Sequence, residues 1–435
     1  MNCILKTLRV FMVLAVFFPL TSFAEEKKEP TKILTGSITL AQALQIALIQ
    51  NPGLQAFSYE VRAREAQALQ AGLASNPKLQ VEVENIGGSG NFNGFDQSET
   101  SVQLSQLVEL GSKRHLRKNS AVLSKELAGW DQEVKRLEIL TRVAQSYIHV
   151  LKAQQLVALA GERVQLAQKF LDAVLERIQA GKVAAIEKIK MEVALANMRI
   201  EEERVKLELQ NVRRTLSLLW GETEPKFDVA LGDLFSVPDK VLKTVPTLSA
   251  NPRLSKWSTA LSHRQAELDV ENSKTIPNLT FSGGFRRLEE NDDNALIFGV
   301  TVPLQWFNRN QGGIAKAQHR LSKAREEQKA ETLRMKGALM QAYSEVSFSH
   351  AKVISIKTGV LPGARQAFNA ISEGYSFGKF SLLDVLDSQK TYFHVQSQYL
   401  DALANYHNAV TNVERLSGID PVTRESSADT GKGGN

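Results

Sequence analysis

The chain has a single cysteine, Cys3, and it precedes the first apolar run. A chain cleaved after that run has no disulfide, no thiolate metal site, no thiol nucleophile and no N-terminal cysteine to carry a lipid. Beyond the first 24 residues there is no stretch of about 18 apolar residues, which excludes a transmembrane helix. No two histidines stand three or four residues apart, so no helical zinc pair is present. Gly87-Gly88-Ser89-Gly90 is not followed by Gly-Lys-Ser/Thr, and reads as loop rather than phosphate cradle. Residues 112–180 contain no proline and few glycines. With no arrangement of nucleophile, metal or cofactor in view, no catalytic residue and no cofactor are expected.

The first 24 residues read as a signal peptide. Lys6 and Arg9 supply the positive start, an apolar run too short to span a bilayer follows, and Ser22-Phe23-Ala24 is a small-x-small cleavage site. Export without a helical anchor leaves a periplasmic, a secreted or a β-barrel protein. The net charge is +6, and +4 without Lys6 and Arg9, with both signs interspersed along the chain. That pattern, like export, argues against a nucleic-acid partner.

The strongest signal of organisation is a tandem repeat. Asn51-Pro52-Gly53-Leu54 returns as Asn251-Pro252-Arg253-Leu254, and Pro77-Lys78-Leu79 as Pro277-Asn278-Leu279. Further on, Tyr147 matches Tyr343, Gly181-Lys182 matches Gly378-Lys379, and Gly221 matches Gly418. A series of matches in one order is a duplication. The expected organisation is a linker at 25–37, a first repeat at 38–221, a connecting segment at 222–250, a second repeat at 251–418 and a tail at 419–435.

Each repeat reads helix, strand, strand, very long helix, helix. Residues 52–75 are expected to be helical. Residues 77–86 alternate, with Leu79, Val81 and Val83 on one face, and 101–110 alternate again. In the second half, strands are expected at 278–286 and 295–306, with a charged loop at 287–294. Residues 112–180 predict a helix of roughly 100 Å. Residues 52–75 and 184–220, stacked end to end, roughly equal it in length. Ile186, Ile189, Val193, Ala196 and Ile200 have the spacing of a coiled-coil seam. So do Tyr392, Val395, Tyr399, Ala402, Tyr406, Ala409, Val413 and Leu416. Pro362 interrupts the second long helix and predicts a kink. Met191, Met198, Met335 and Met340 read as core or seam rather than copper ligands.

Four strands cannot close a membrane barrel, and an open edge in lipid leaves backbone groups unsatisfied. Subunits must share the barrel. Two copies give eight strands and three give twelve, so the strand count excludes only the monomer.

These anchors resemble the TolC family of outer-membrane channel-tunnels, and within it the heavy-metal branch, the CzcC-type components of resistance-nodulation-division (RND) pumps. The segments that carry the resemblance are ITLAQALQIALIQNPGL (38–54), LVELGSKRHLR (107–117), VPLQWFNRNQG (302–312), EGYSFGKFSLLDVLDSQKTY (373–392) and ERLSG (414–418). The resemblance covers nearly the whole chain after the signal. It implies a mainly α protein with a membrane β-barrel. The implied assembly is a homotrimer whose twelve-stranded barrel sits in outer-membrane lipid and continues as a coiled-coil α-helical tunnel through the periplasm. Its implied partners are a periplasmic adaptor protein and an inner-membrane RND pump. Many members of that branch carry a lipid on their first cysteine, and this sequence offers none there.

Asp384 and Asp387 share one face near a helix start. The resemblance places them at the periplasmic tip, where three subunits would present a ring of carboxylates that attracts cations. The same residues also suit a plain helix start, since Ser381 and Asp384 read as a capping box. Glu187 and Lys190 stand at the matching positions of the first repeat. The resemblance makes Glu187 and Tyr375 partners in holding the tip closed. The family's basic partner falls on Phe380, with Lys379 one position earlier, so either Lys379 substitutes or Phe380 closes the pore by apolar contact. The expected function is passive conduction of heavy-metal cations to the exterior. A drug duct, a type I secretion duct and a periplasmic coiled-coil adaptor are the competing readings.

Overall fold

The structure is a computed structural model that describes residues 36–239 and 247–420. The signal segment, Cys3, most of the linker and most of the tail lie outside the described residues.

In chain order the first repeat contains β1 (Ser37–Thr39), α1 (Leu40–Gln50), α2 (Pro52–Ala71), β2 (Lys78–Glu84), β3 (Glu99–Val108), α3 (Lys113–Gln179) and α4 (Ile186–Leu218). After β4 (Val229–Leu231), the second contains α5 (Pro252–Ser273), β5 (Leu279–Leu288), β6 (Asp293–Thr301), α6 (Gln311–Ser355), α7 (Leu361–Ser376) and α8 (Leu382–Ser417). A π-helical turn, Ile356–Val360, joins α6 to α7 without a break. Pro362 stands in the first turn of α7 and has no N–H for the helical ladder, while the N–H of Leu361 reaches back to Ile356 in the wider π pattern. Among the described residues no helix is long and apolar enough to cross a membrane.

One antiparallel sheet of four strands has the order β2-β3-β5-β6. Its register aligns Val81, Val102, Phe285 and Leu296 in one cross-strand row. Directly opposed residues share a face, so this row and Leu79, Leu104, Phe281, Phe298 and Val300 make an apolar side, largely exposed in the protomer. The other side carries Gln80, Glu82, Ser101, Gln103, Ser282 and Arg286. There Arg286 bonds Ser101 (Nε to Oγ, 2.9 Å) and pairs with Glu99 at 2.7 Å and Glu84 at 3.5 Å, a clasp across three strands. β2 and β6 are the outer strands of this sheet.

Several boundaries differ from the sequence expectation. Half of the charged loop expected at 287–294 is strand, because β5 runs to Leu288 and β6 starts at Asp293. Near that turn both faces are polar, so the alternation that marks a strand is hidden. β6 ends at Thr301 rather than 306, just before Pro303, which cannot donate to a ladder. α2 stops at Ala71, before Gly72, rather than at 75. A parallel ribbon between β1 and β4 was not expected from sequence.

α3 has 67 residues, about 100 Å. α2 packs along its first part and α4 along its last. With 20 and 33 residues, they fall about 20 Å short of it. The difference is the middle of α3, where Ile139, Leu140, Val143, Tyr147 and Val150 form a core with α1, Trp220 and Phe227. The repeated asparagines meet here. Asn51 and Asn251 are buried N-caps of α2 and α5, each followed by Pro at the first helical position. Asn51 Nδ2 donates to the Leu219 carbonyl at 2.5 Å, and Asn251 Nδ2 to the Leu416 carbonyl at 2.8 Å. The same residue thus starts one helix and clasps the end of another in each repeat.

The α8 seam is buried from Val395 onward: Val395, Tyr399, Ala402, Tyr406, Ala409, Val413 and Leu416 all lie in one core with α6, while Tyr392 at its start is half-buried. The α4 seam is not. Ile186, Ile189, Val193 and Ile200 are 52 to 68% exposed, while Met191, Leu195 and Met198 are buried against the chain's own helices. At 100° per residue the two stripes lie on opposite sides of α4. Met335 is buried in the α6–α8 core, whereas Met340 is exposed.

Candidate functional site

Two helical hairpin turns form the end of the molecule remote from the sheet. The turn from α3 to α4 passes through Gly181 and the turn from α7 to α8 through Gly378, both with positive φ (68° and 77°). Each closes its helix in the same way. The N–H of Lys182 bonds the Arg177 carbonyl at 2.9 Å, and the N–H of Lys379 bonds the Gly374 carbonyl at 2.9 Å. Sequence similarity at these turns therefore reports one backbone motif used twice.

Tyr375 sits between the hairpins and is 4% exposed. Its hydroxyl donates to Glu187 Oε2 at 3.0 Å. The Arg177 guanidinium lies 4.4 Å from the centre of its ring, and Arg177 Nη1 donates to the Tyr375 carbonyl. Burial, and then the Glu187 carboxylate, push the Tyr375 phenol up to about 12. The phenol is therefore neutral and donating at any physiological pH.

Glu187 and Tyr375 are thus brought together. The cation beside them is Arg177, which sequence reading missed. A basic residue in the last turn of a helix is common for its interaction with the helix dipole, so nothing set Arg177 apart. The Lys379 side chain is exposed and has no ion-pair partner among the described residues. Lys190 is likewise exposed. Phe380 folds back onto α7, where a Cβ on Gly374 would run into its ring. Gly374 is needed for this close approach rather than for an unusual backbone angle.

Asp384 and Asp387 are exposed on the first turns of α8. Asp384 completes a capping box. Its Oδ2 accepts the Ser381 N–H at 2.8 Å and the Ser381 hydroxyl at 2.7 Å, while Ser381 Oγ accepts the Asp384 N–H at 3.3 Å. The Ser381 bonds hold its carboxyl below the usual aspartate range. Asp384 therefore caps the helix and is exposed in the protomer. Among the described residues no group of three or more His, Cys, Asp or Glu is placed to hold a metal ion.

A sheet with one apolar and one polar face, carried on duplicated helices far longer than its strands, defines a β-barrel subunit with an α-helical extension. The chain belongs to the outer membrane efflux protein family, which it matches over residues 43–222 and 246–419. It is 34% identical over 385 residues to the cobalt-zinc-cadmium resistance protein CzcC of Cupriavidus metallidurans, covering 88% of this chain and 90% of that one. It is 21% identical over 417 residues to the outer membrane protein TolC of Escherichia coli, covering 88% and 83%. Among solved structures it superposes on CusC with a TM-score of 0.71 at 17% identity, covering 90% of this chain and 95% of that one. The outer membrane protein VceC of Vibrio cholerae gives 0.71 at 15%, covering 87% and 96%. The fold is a TolC-like channel-tunnel. The protein is an outer-membrane efflux component, with its strands in the membrane and its helices in the periplasm.

Proposed function

We propose that this chain forms a homotrimeric exit duct for heavy-metal cations, fed by a periplasmic adaptor and an inner-membrane RND pump. The metal assignment is carried by the 34% identity to a cobalt-zinc-cadmium resistance protein over about nine-tenths of both chains. A nickel-cobalt-cadmium resistance protein, NccC of Alcaligenes xylosoxydans xylosoxydans, is 25% identical over 319 residues. The exposed Asp384 and Asp387 suit a cation path: three copies at one narrow opening would concentrate negative charge where substrate enters. The four-stranded sheet requires more than one copy to leave no open edge in lipid, and the TolC-like fold favours three. Tyr375, Glu187 and Arg177, with Phe380 beside them, hold the tip closed until the partners dock.

The test is a strain lacking this chain. Survival in zinc, cobalt and cadmium should fall and be restored by the intact gene. If the loss changes only sensitivity to drugs, or only the export of a protein, the metal reading is wrong. Outer-membrane extraction should also yield an oligomer that resists SDS.

A further inference from the structure

Below the sheet, α2, α3, α5 and α6 stand side by side in that order. A cleft of about 860 Å³ touches all four of them. A cleft bordered by four successive helices lies on the side toward which their row curves. The polar side of the sheet faces the same way. Glu109, one residue past β3, continues the alternation of Ser101, Gln103 and Ser105. Arg117, which lines the cleft, reaches up to bond both Glu109 oxygens at 2.6 and 3.2 Å. In the duct reading this side is the lumen.

The cleft is basic. Arg64, Arg117, Lys316 and Arg320 line it, against Glu267 and Glu271. Both acids have partners outside that set of four, as Arg64 has in Glu60 at 2.7 Å and Arg117 in Glu109 at 2.6 Å, so the charge left over is that of Lys316 and Arg320. Glu267 pairs with Arg264 at 2.7 Å. Glu271 pairs with Lys274 at 2.7 Å and accepts from Asn310 at 2.6 Å. Lys316 and Arg320 are one turn apart on α6, exposed, and without an ion-pair partner among the described residues. Across from them α3 offers the hydroxyls of Ser120 and Ser124. The Arg320 guanidinium fork, the Lys316 ammonium and the hydroxyls around one open space suit the several oxygens of a multivalent oxyanion.

We propose that this cleft is an anion site in the wall of the duct, taking a multivalent oxyanion such as a phosphate or a polycarboxylate. The proposal rests on the duct reading above. A cation that has passed the acidic tip meets like charge here. A bound anion removes that barrier, because a walled lumen focuses fixed charge and gathers the opposite ion. Three copies place three such clefts at one level.

The probe is inorganic pyrophosphate, with the intact protein in planar bilayers at low salt. Pyrophosphate should raise the cation share of the wild-type current, read as a shift in reversal potential under a salt gradient, and Lys316→Gln with Arg320→Gln should weaken that effect about tenfold or more. Divalent-cation block at the tip should be unchanged in the same variant. Conducting channels indifferent to pyrophosphate, or a double variant as sensitive as wild type, overturn the proposal while leaving the duct intact. A preparation with no conductance defeats the duct reading, and the proposal with it. Thermal unfolding gives a second readout: pyrophosphate should raise the wild-type midpoint and not that of the variant, and equal shifts in both count against the site.

Discussion

The Tyr375 hydroxyl donates to the Glu187 carboxylate at 3.0 Å and so ties the second-repeat tip turn to the first-repeat one. Tyr375→Phe deletes this bond to a charged acceptor, at a cost of about 1.5 kcal/mol to the closed tip. Single-channel recording should show a larger or more frequently open conductance. The neutral phenol is the donor, and its value is raised from the ordinary 10.0 to about 12. The bond is therefore fully present below the ordinary tyrosine value and is lost as pH rises through about 12. Wild-type closure should hold through neutral pH and fail only in that alkaline window. A Tyr375→Phe channel that closes as well as wild type refutes the latch.

Asp384→Ala combined with Asp387→Ala should abolish block by divalent cations in planar bilayers. Ser381 holds the Asp384 carboxyl below its usual range. Its capping contribution is thus present above the unfolded aspartate value and lost as pH falls through the lower folded one. The part of the block that depends on Asp384 should persist in acid somewhat past the ordinary aspartate range. Undiminished block in the double variant removes these residues from the pore.

Ile189 and Val193 face away from the chain's own helices. Ile189→Asp with Val193→Asp should leave the protomer helical but abolish the SDS-resistant oligomer. Leu195→Ala, on the buried side of the same helix, should instead destabilise the protomer by about 2–5 kcal/mol. Gel migration and circular dichroism separate the two, and an oligomer that tolerates both aspartates shows that this stripe is not a subunit seam.

Gly374→Ala should destabilise the tip by about 1–3 kcal/mol, because the new methyl meets the Phe380 ring. Phe380→Ala should relieve most of that cost. A double-variant cycle with no coupling would show that the two residues do not depend on each other.

Asn51→Ala and Asn251→Ala should each cost about 1–2 kcal/mol, the loss of an N-cap. Each also strips a buried carbonyl of its donor, at Leu219 and Leu416 respectively. Similar losses in thermal unfolding are expected from the two. A large effect in one repeat and none in the other would break their equivalence.

The features most legible in sequence were those fixed by local periodicity or by repetition. The α8 seam from Val395 to Leu416 shows because its buried side is its only sustained apolar heptad stripe. The Asn-Pro pairs show because they occur twice. α4 misled because it carries two apolar stripes, Met191-Leu195-Met198 and Ile186-Ile189-Val193-Ile200. Periodicity marks both as seams but cannot say which one faces the chain's own helices. Arg177 escaped because its importance comes from a residue 198 positions away. The β1–β4 ribbon escaped for a related reason: three residues pair with three others nearly 200 apart, and so short a run has no pattern of its own. The Ser381–Asp384 capping box was legible too, because its two residues stand three apart at a helix start.

The π turn at Ile356–Val360 has no counterpart in α3, which runs unbroken for 67 residues. The two halves of the duplication are therefore mechanically unequal. The first supplies a stiff rail from the strands to the tip, and the second is jointed partway down, where a missing N–H weakens the ladder. A bend at that joint would shift Tyr375, Phe380 and Asp384 relative to Arg177 on the unbroken rail and Glu187 on the helix that follows it.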